Sequence, residues 1–226
     1  MIRETTTIIE IIAVLGTVTS LGYYIVCLWS AAGFLRGRSA KTRAAGEGPF
    51  GLGSGQVRVT PASFPVSILK PLKGTDPEMY ESFRTHCLQQ YPEYEIIFGV
   101  NDAADPAVAL VERLKLEFPQ RAIRLVICNQ SLGTNTKVSN LAQMLPLARY
   151  DYLIVNDGDI RVEPDYLRRV MAPLADPSVG MVTCLYRGVA GSTLGSKLES
   201  VGISTDFVGG VLAARQLEGG IRFGLG

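Results

Sequence analysis

Residues 11–35 contain no charged side chain, and beyond residue 63 short apolar runs alternate regularly with amphipathic ones. The first stretch, about 25 residues, exceeds the ~20 that a bilayer crossing requires and predicts a transmembrane helix. The second pattern predicts strands over 66–69, 95–100, 123–127, 152–156 and 179–185. Helices are predicted between them. One opens at Asp76-Pro77 and runs to about Gln90; one opens at Asp105-Pro106 and ends before Pro119. A third spans Lys137 to about Leu147, and another opens at Pro164. Strands alternating with helices of this length imply right-handed βαβ units and an α/β fold with a mostly parallel sheet. The run 152–156 is apolar and β-branched, as expected of a strand buried on both faces.

The flanks of the apolar helix orient it. Glu10 lies just before it, and Arg36, Arg38, Lys41 and Arg43 follow at once. Basic flanks stay cytoplasmic, which sets the N-terminus outside and the rest of the chain in the cytoplasm. A cleaved signal peptide is the alternative, with Ala31 and Ala32 near a cleavage site. The length of the run, and positive charge that follows rather than precedes it, favour an uncleaved anchor over 1–38. Residues 39–64, rich in Gly, Pro, Ala and Ser, read as a juxtamembrane linker, and 65–226 as the α/β domain.

Composition mainly excludes. A net charge of +1 gives no footprint for nucleic acid. The four cysteines lack metal-ligand spacing and read as buried, reduced thiols. His86 is the single histidine, which argues against Ser-His-Asp and Cys-His chemistry; it reads as a packing or surface residue on a helix.

Candidate chemistry gathers at the predicted strand ends, where open α/β sheets bind ligands. Asp157-Gly158-Asp159 terminates the fourth strand, and two hard oxygen ligands on a tight turn suit a divalent cation on a diphosphate. Asn101, Asp102 and Asp105 follow the second strand, and Lys137 and Asn140 begin the helix after the third. Acids so placed accept hydrogen bonds from a base or ribose, and a lysine offsets diphosphate charge. Each group also has a plainer use. Asp105 is a good helix cap, the acid pair an ordinary turn, and Lys137 with Asn140 an exposed helix face. Neither a phosphate-loop motif nor a Gly-x-Gly-x-x-Gly fingerprint is present.

Several segments in order resemble one family. Val66-Ser67-Ile68-Leu69-Lys70-Pro71-Leu72-Lys73-Gly74-Thr75-Asp76-Pro77 is similar to the opening of ceramide glucosyltransferases and their bacterial relatives, within the large family 2 glycosyltransferases. Gln90–Glu95, Asn101–Pro106, Gly133–Leu141 and Asp157–Val162 resemble its later motifs. The resemblance implies a GT-A fold and an inverting, metal-assisted transfer of a hexose, glucose or N-acetylglucosamine. The donor would be a UDP-sugar and the acceptor a membrane lipid hydroxyl of ceramide or hopanoid type. It implies that Asp102 and Asp105 serve the uridine, that Lys137 lies near it or the diphosphate, with Asn140 beside, and that Asp157 and Asp159 hold Mg²⁺ or Mn²⁺. Many ceramide-type members read Asp-Ser-Gly where this chain has Asp157-Gly158-Asp159, which is closer to the bacterial branch. The family's third aspartate, its catalytic base, and its Gln/Arg-x-x-Arg-Trp motif are expected beyond Gly226, so the domain is expected to be C-terminally incomplete. The alternative is a truncated, inactive UDP-sugar-binding membrane protein.

Overall fold

The computed structural model describes residues 2–44, 64–221 and 224. They fall into two compact units, one within Arg58–Val182 and one formed by Met1–Val57 with Thr183–Leu225.

The first unit is built on a parallel sheet of four strands, β1 (Val66–Pro71), β2 (Tyr94–Val100), β3 (Ala122–Ile127) and β4 (Tyr152–Val155), in the order β3-β2-β1-β4. Connecting helices are α2 (Met79–Cys87), α3 (Ala107–Glu117), α4 (Thr136–Met144) and α5 (Tyr166–Met171). The period of two along each strand sorts the core. Val66, Ile68, Ile96 and Phe98 meet Phe83, Val111, Leu114 and Leu167 of α2, α3 and α5 on one face. Leu69 and Ile97 meet Met144 of α4 and Cys128 on the other. At Gly99 the approach of α4 is so close that a Cβ would stand 2.3 Å from Met144 Sδ.

Three expectations change. β4 is not buried on both faces: Leu153 and Val155 are 41% and 40% exposed, because β4 is the edge of the described sheet with only one face covered. The strand predicted over 179–185 does not form; that segment is irregular, with no strand ladder tying it to the β4 edge. The helix expected at Asp76 begins at Met79 and ends at Cys87. Asp76 takes part through its carbonyl, which accepts from Met79 N–H at 3.1 Å and closes a turn instead of capping the helix with its side chain.

In the other unit, α1 (Ile2–Ala44) includes one span, Thr5–Gly37, long and apolar enough to cross a membrane. It runs on through 39–44, part of the stretch read as linker; 45–63 lie outside the described residues. After α6 (Leu194–Gly202) a π-helical turn, Ile203–Phe207, leads into α7 (Val208–Leu217), which packs on α1. Small residues permit that packing: a Cβ on Gly209 would lie 3.4 Å from Cys27 Sγ.

Within the sheet unit the entry to β4 is set by a buried acid. Glu95, 2% exposed on β2, accepts from Ser67 Oγ (2.8 Å), from Arg149 N–H (2.6 Å) and from the Arg124 guanidinium (3.1 Å). Ser67 Oγ in turn accepts from Tyr150 N–H at 3.2 Å, so both residues before the 151–152 step are tied to the neighbouring strands. Glu95→Ala strands these donors and is expected to cost about 2–4 kcal/mol of unfolding free energy. Urea denaturation of the whole chain in detergent checks this, and a loss below about 0.5 kcal/mol would contradict it.

Candidate functional site

The chain leaves β1 for β2 and β3 on one side, then returns to place β4 on the other side of β1. Connections from β1 and β4 therefore diverge, opening a crevice at their carboxyl ends. Asp157-Gly158-Asp159 emerges there from β4, and Pro71-Leu72-Lys73 from β1. α4 points its N-terminus the same way, capped by the Asn135 side chain, which accepts from Val138 N–H at 3.1 Å. Lys137, in its first turn, places Nζ 2.6 Å from Asp157 Oδ1, and both side chains remain partly exposed. A cavity of about 440 Å³ lies beside them, lined by Lys73, Thr134, Asn135, Lys137 and Asn140 among others. Two lysines and the free N–H groups of a helix start make its chemistry anion-binding.

Lys70 is the residue that sequence reasoning passed over. It is fully buried at the end of β1 and donates from Nζ to the Asp157 carbonyl at 2.7 Å. Burial pushes the ammonium down to about 7, opposed by the charges of Asp159 and Asp157. The available signal was a lysine directly extending an apolar strand toward a ligand edge, a position that solvation alone does not explain.

Beneath it, His86 is also fully buried, and its Nδ1 donates to the Ser82 carbonyl at 2.9 Å, so the proton sits on that nitrogen. Burial first, and the Lys70 charge second, push it down to about 3. This places it as a packing residue, held neutral.

The remaining candidates divide. Asp105 is engaged by backbone: Gly74 N–H lies 3.2 and 2.9 Å from its two oxygens, and Ala107 N–H reaches Oδ1 at 2.8 Å. It caps α3 and fixes the β1–α2 loop at Gly74, whose φ of +67° only glycine adopts easily. Asp102 is exposed and accepts from Ala104 N–H at 2.9 Å. Asn140 is not on an open helix face; it is 1% exposed and exchanges paired amide hydrogen bonds with Asn101 at 2.8 and 3.1 Å. The pair ties the end of β2 to α4. Lys137, Asp157 and Lys70 are thus brought together, whereas Asp102 and Asp105 stand at the neighbouring strand end.

Among the described residues no group of three or more His, Cys, Asp and Glu could hold a metal. Two carboxylates on one turn suit a hard cation that keeps water and phosphate oxygens as its other ligands, as Mg²⁺ does.

A family model described as glycosyl transferase family 21 matches residues 12–226. Ceramide glucosyltransferase 3 of Caenorhabditis elegans is 32% identical over 100 residues, covering 44% of this chain and 22% of the relative. The ceramide glucosyltransferase of Komagataella phaffii is 34% identical over 101 residues, covering 43% and 20%. The matches thus span about a fifth of the length of these curated relatives. Among solved structures, the mannosyltransferase PcManGT from Pyrobaculum calidifontis, in complex with GDP-Man and Mn²⁺, is similar with a TM-score of 0.51 at 20% identity, over 74% of this chain and 48% of that one. The fold is accordingly that of a GT-A glycosyltransferase.

His86 makes the fold sensitive to acid. Its folded value of about 3 lies below the ordinary 6.5, so between these the unfolded chain binds more protons. The contribution is whole above pH 6.5 and is lost as pH falls toward 3. Between pH 6 and 5 wild type is expected to lose about 1.2 kcal/mol more than His86→Gln in chemical denaturation. Parallel slopes for the two proteins would count against a neutral, buried His86.

Proposed function

For a chain that belongs to glycosyl transferase family 21, we propose that the crevice between β1 and β4 binds the diphosphate of a UDP-sugar. The hexose, glucose or N-acetylglucosamine, passes with inversion to the hydroxyl of a membrane lipid of ceramide or hopanoid type. The reading is supported above all by one juxtaposition: Lys137, at the start of α4, and the Asp157-Gly158-Asp159 turn meet at the point where the strand order reverses. The names of the similar eukaryotic proteins support the lipid acceptor. In the mannosyltransferase of the same fold, a divalent ion accompanies the sugar nucleotide.

Asp157 and Asp159 would hold Mg²⁺ or Mn²⁺, which neutralises charge developing on the departing diphosphate. Lys137 turns from Asp157 to the diphosphate when the donor arrives, and the N–H groups at the start of α4 reinforce it. Asp102 and Asp105 face the uridine, with Asp105 also shaping the rim through Gly74. Asn140, locked to Asn101, forms the wall behind Lys137. α1 anchors the protein in the membrane, with the donor site on the cytoplasmic side beside its lipid acceptor.

Binding of UDP-glucose or UDP-N-acetylglucosamine to the whole chain in detergent should require Mg²⁺ or Mn²⁺. Asp159→Ala should weaken it by at least about tenfold, the loss of one charged ligand contact. Binding indifferent to the metal in calorimetric titration would sink the metal-assisted reading. Lys137→Met should separate the two partners. Donor affinity falls, whereas Mn²⁺ binding without nucleotide tightens by up to about fivefold, the worth of a partly exposed ion pair removed from Asp157. Loss of both affinities together would show that Lys137 only supports the fold.

A further inference from the structure

The two acids of the turn are partly exposed, but the carbonyls of Asp157 and Asp159, the residues before and after Gly158, are held from below. The Asp157 carbonyl accepts from Lys70 Nζ at 2.7 Å, and the Asp159 carbonyl accepts from Ser82 Oγ at 3.0 Å. Both donors are buried, Lys70 at 0% and Ser82 at 1% exposure. The same side of α2 continues to grip the chain downstream. Thr85 Oγ1 accepts from Val162 N–H at 3.3 Å, and just past the helix Gln89 donates to the Glu163 carbonyl at 2.8 Å and accepts from Leu167 N–H at 3.0 Å. Positions 82, 85 and 89 share one side of a helical path, so a single polar stripe tracks the segment from the acid turn to α5.

We propose that Lys70 and Ser82 are positioning residues for the acid turn: by fixing the carbonyls that flank Gly158 they aim the Asp157 and Asp159 carboxylates at one cation. The functional half of this rests on the metal-assisted reading given above. A turn centred on glycine has the widest backbone freedom of any, and two carboxylates on it repel each other. Pinning one carbonyl would leave the other acid free to swing about Gly158; pinning both fixes the turn at its two ends, next to the Cα atoms that carry the side chains. Ser82 adds a donor whose own position is fixed by α2. The stem of Lys70 lies in the strand, so the turn is referred to the most rigid part of the sheet.

The test uses the whole chain in detergent, with Lys70→Met, which keeps the stem and removes the donor, and Ser82→Ala. Hydrogen exchange over residues 156–163 without ligand should quicken about tenfold in each variant, with exchange in β1 and β2 unchanged. Mn²⁺ binding in the presence of UDP, followed by the paramagnetic resonance of free Mn²⁺, should weaken about tenfold. Turn exchange as slow as in wild type would overturn the proposal. So would exchange that rises equally through the sheet, since that marks general loss of structure. Undiminished Mn²⁺ affinity beside a loosened turn would also overturn the aiming role. If wild type itself takes no Mn²⁺, the metal-assisted reading fails, and faster turn exchange in the variants still upholds the anchoring.

Discussion

Parallel pairing of β1, with β2 on one side and β4 on the other, is the constraint on which the rest of the structure depends. Register places Leu69 beside both Ile97 and Val155, so the chain leaves all three strands at nearly the same level. The acid turn, the Asn101–Asp105 loop and the start of α4 then open at one edge. A slip of one residue in β4 would exchange Tyr152 and Ile154, which pack on the core, for Leu153 and Val155. It would also withdraw the Asp157 carbonyl from Lys70. Placement of the acid turn and packing of the core therefore impose the same register.

Two buried charges enforce that register from opposite ends. Glu95 grips the backbone entering β4 and Lys70 grips the backbone leaving it. Burying a charge is costly; Glu95 is offset by three donors, and Lys70 by the Asp157 carbonyl with the charges of Asp159 and Asp157 nearby. Neither acts mainly as half of an ion pair, since each makes its shortest contact with backbone. This suits a short edge strand of four residues, whose own ladder on a single neighbour is too small to hold both of its ends. The polar side of α2 extends the control past β4 to α5. In the other unit the device is different: Gly209 and Gly210 give α7 a smooth face against Cys27 and Tyr23 of α1, and contact is made by close approach.

The alternation of strands and helices, the acids at strand ends and the long apolar helix were all legible from the chain alone, because each is a local pattern of period two, 3.6 or simple length. The candidate site was legible in part. Asp157, Asp159 and Lys137 announce themselves as charges at predicted strand and helix ends. Lys70, Glu95 and Ser82 do not, because a charge or hydroxyl in a strand or helix says nothing of the carbonyl or amide, 54 to 87 positions away in the chain, that it serves.

What the sequence by itself determined is the long apolar helix, the alternation of four strands with helices up to α5, and which of these segments end in acids and lysines. Only the tertiary structure decided that Asp105 also holds the Gly74 and Ala107 amides, that Asn140 pairs with Asn101, that 152–155 lies at an edge, that 179–185 remains irregular, and that Lys70 stands under the acid turn. The physical reason is one of range. Local periodicity reports the face a residue presents, whereas partnership between buried polar groups depends on which strands become neighbours.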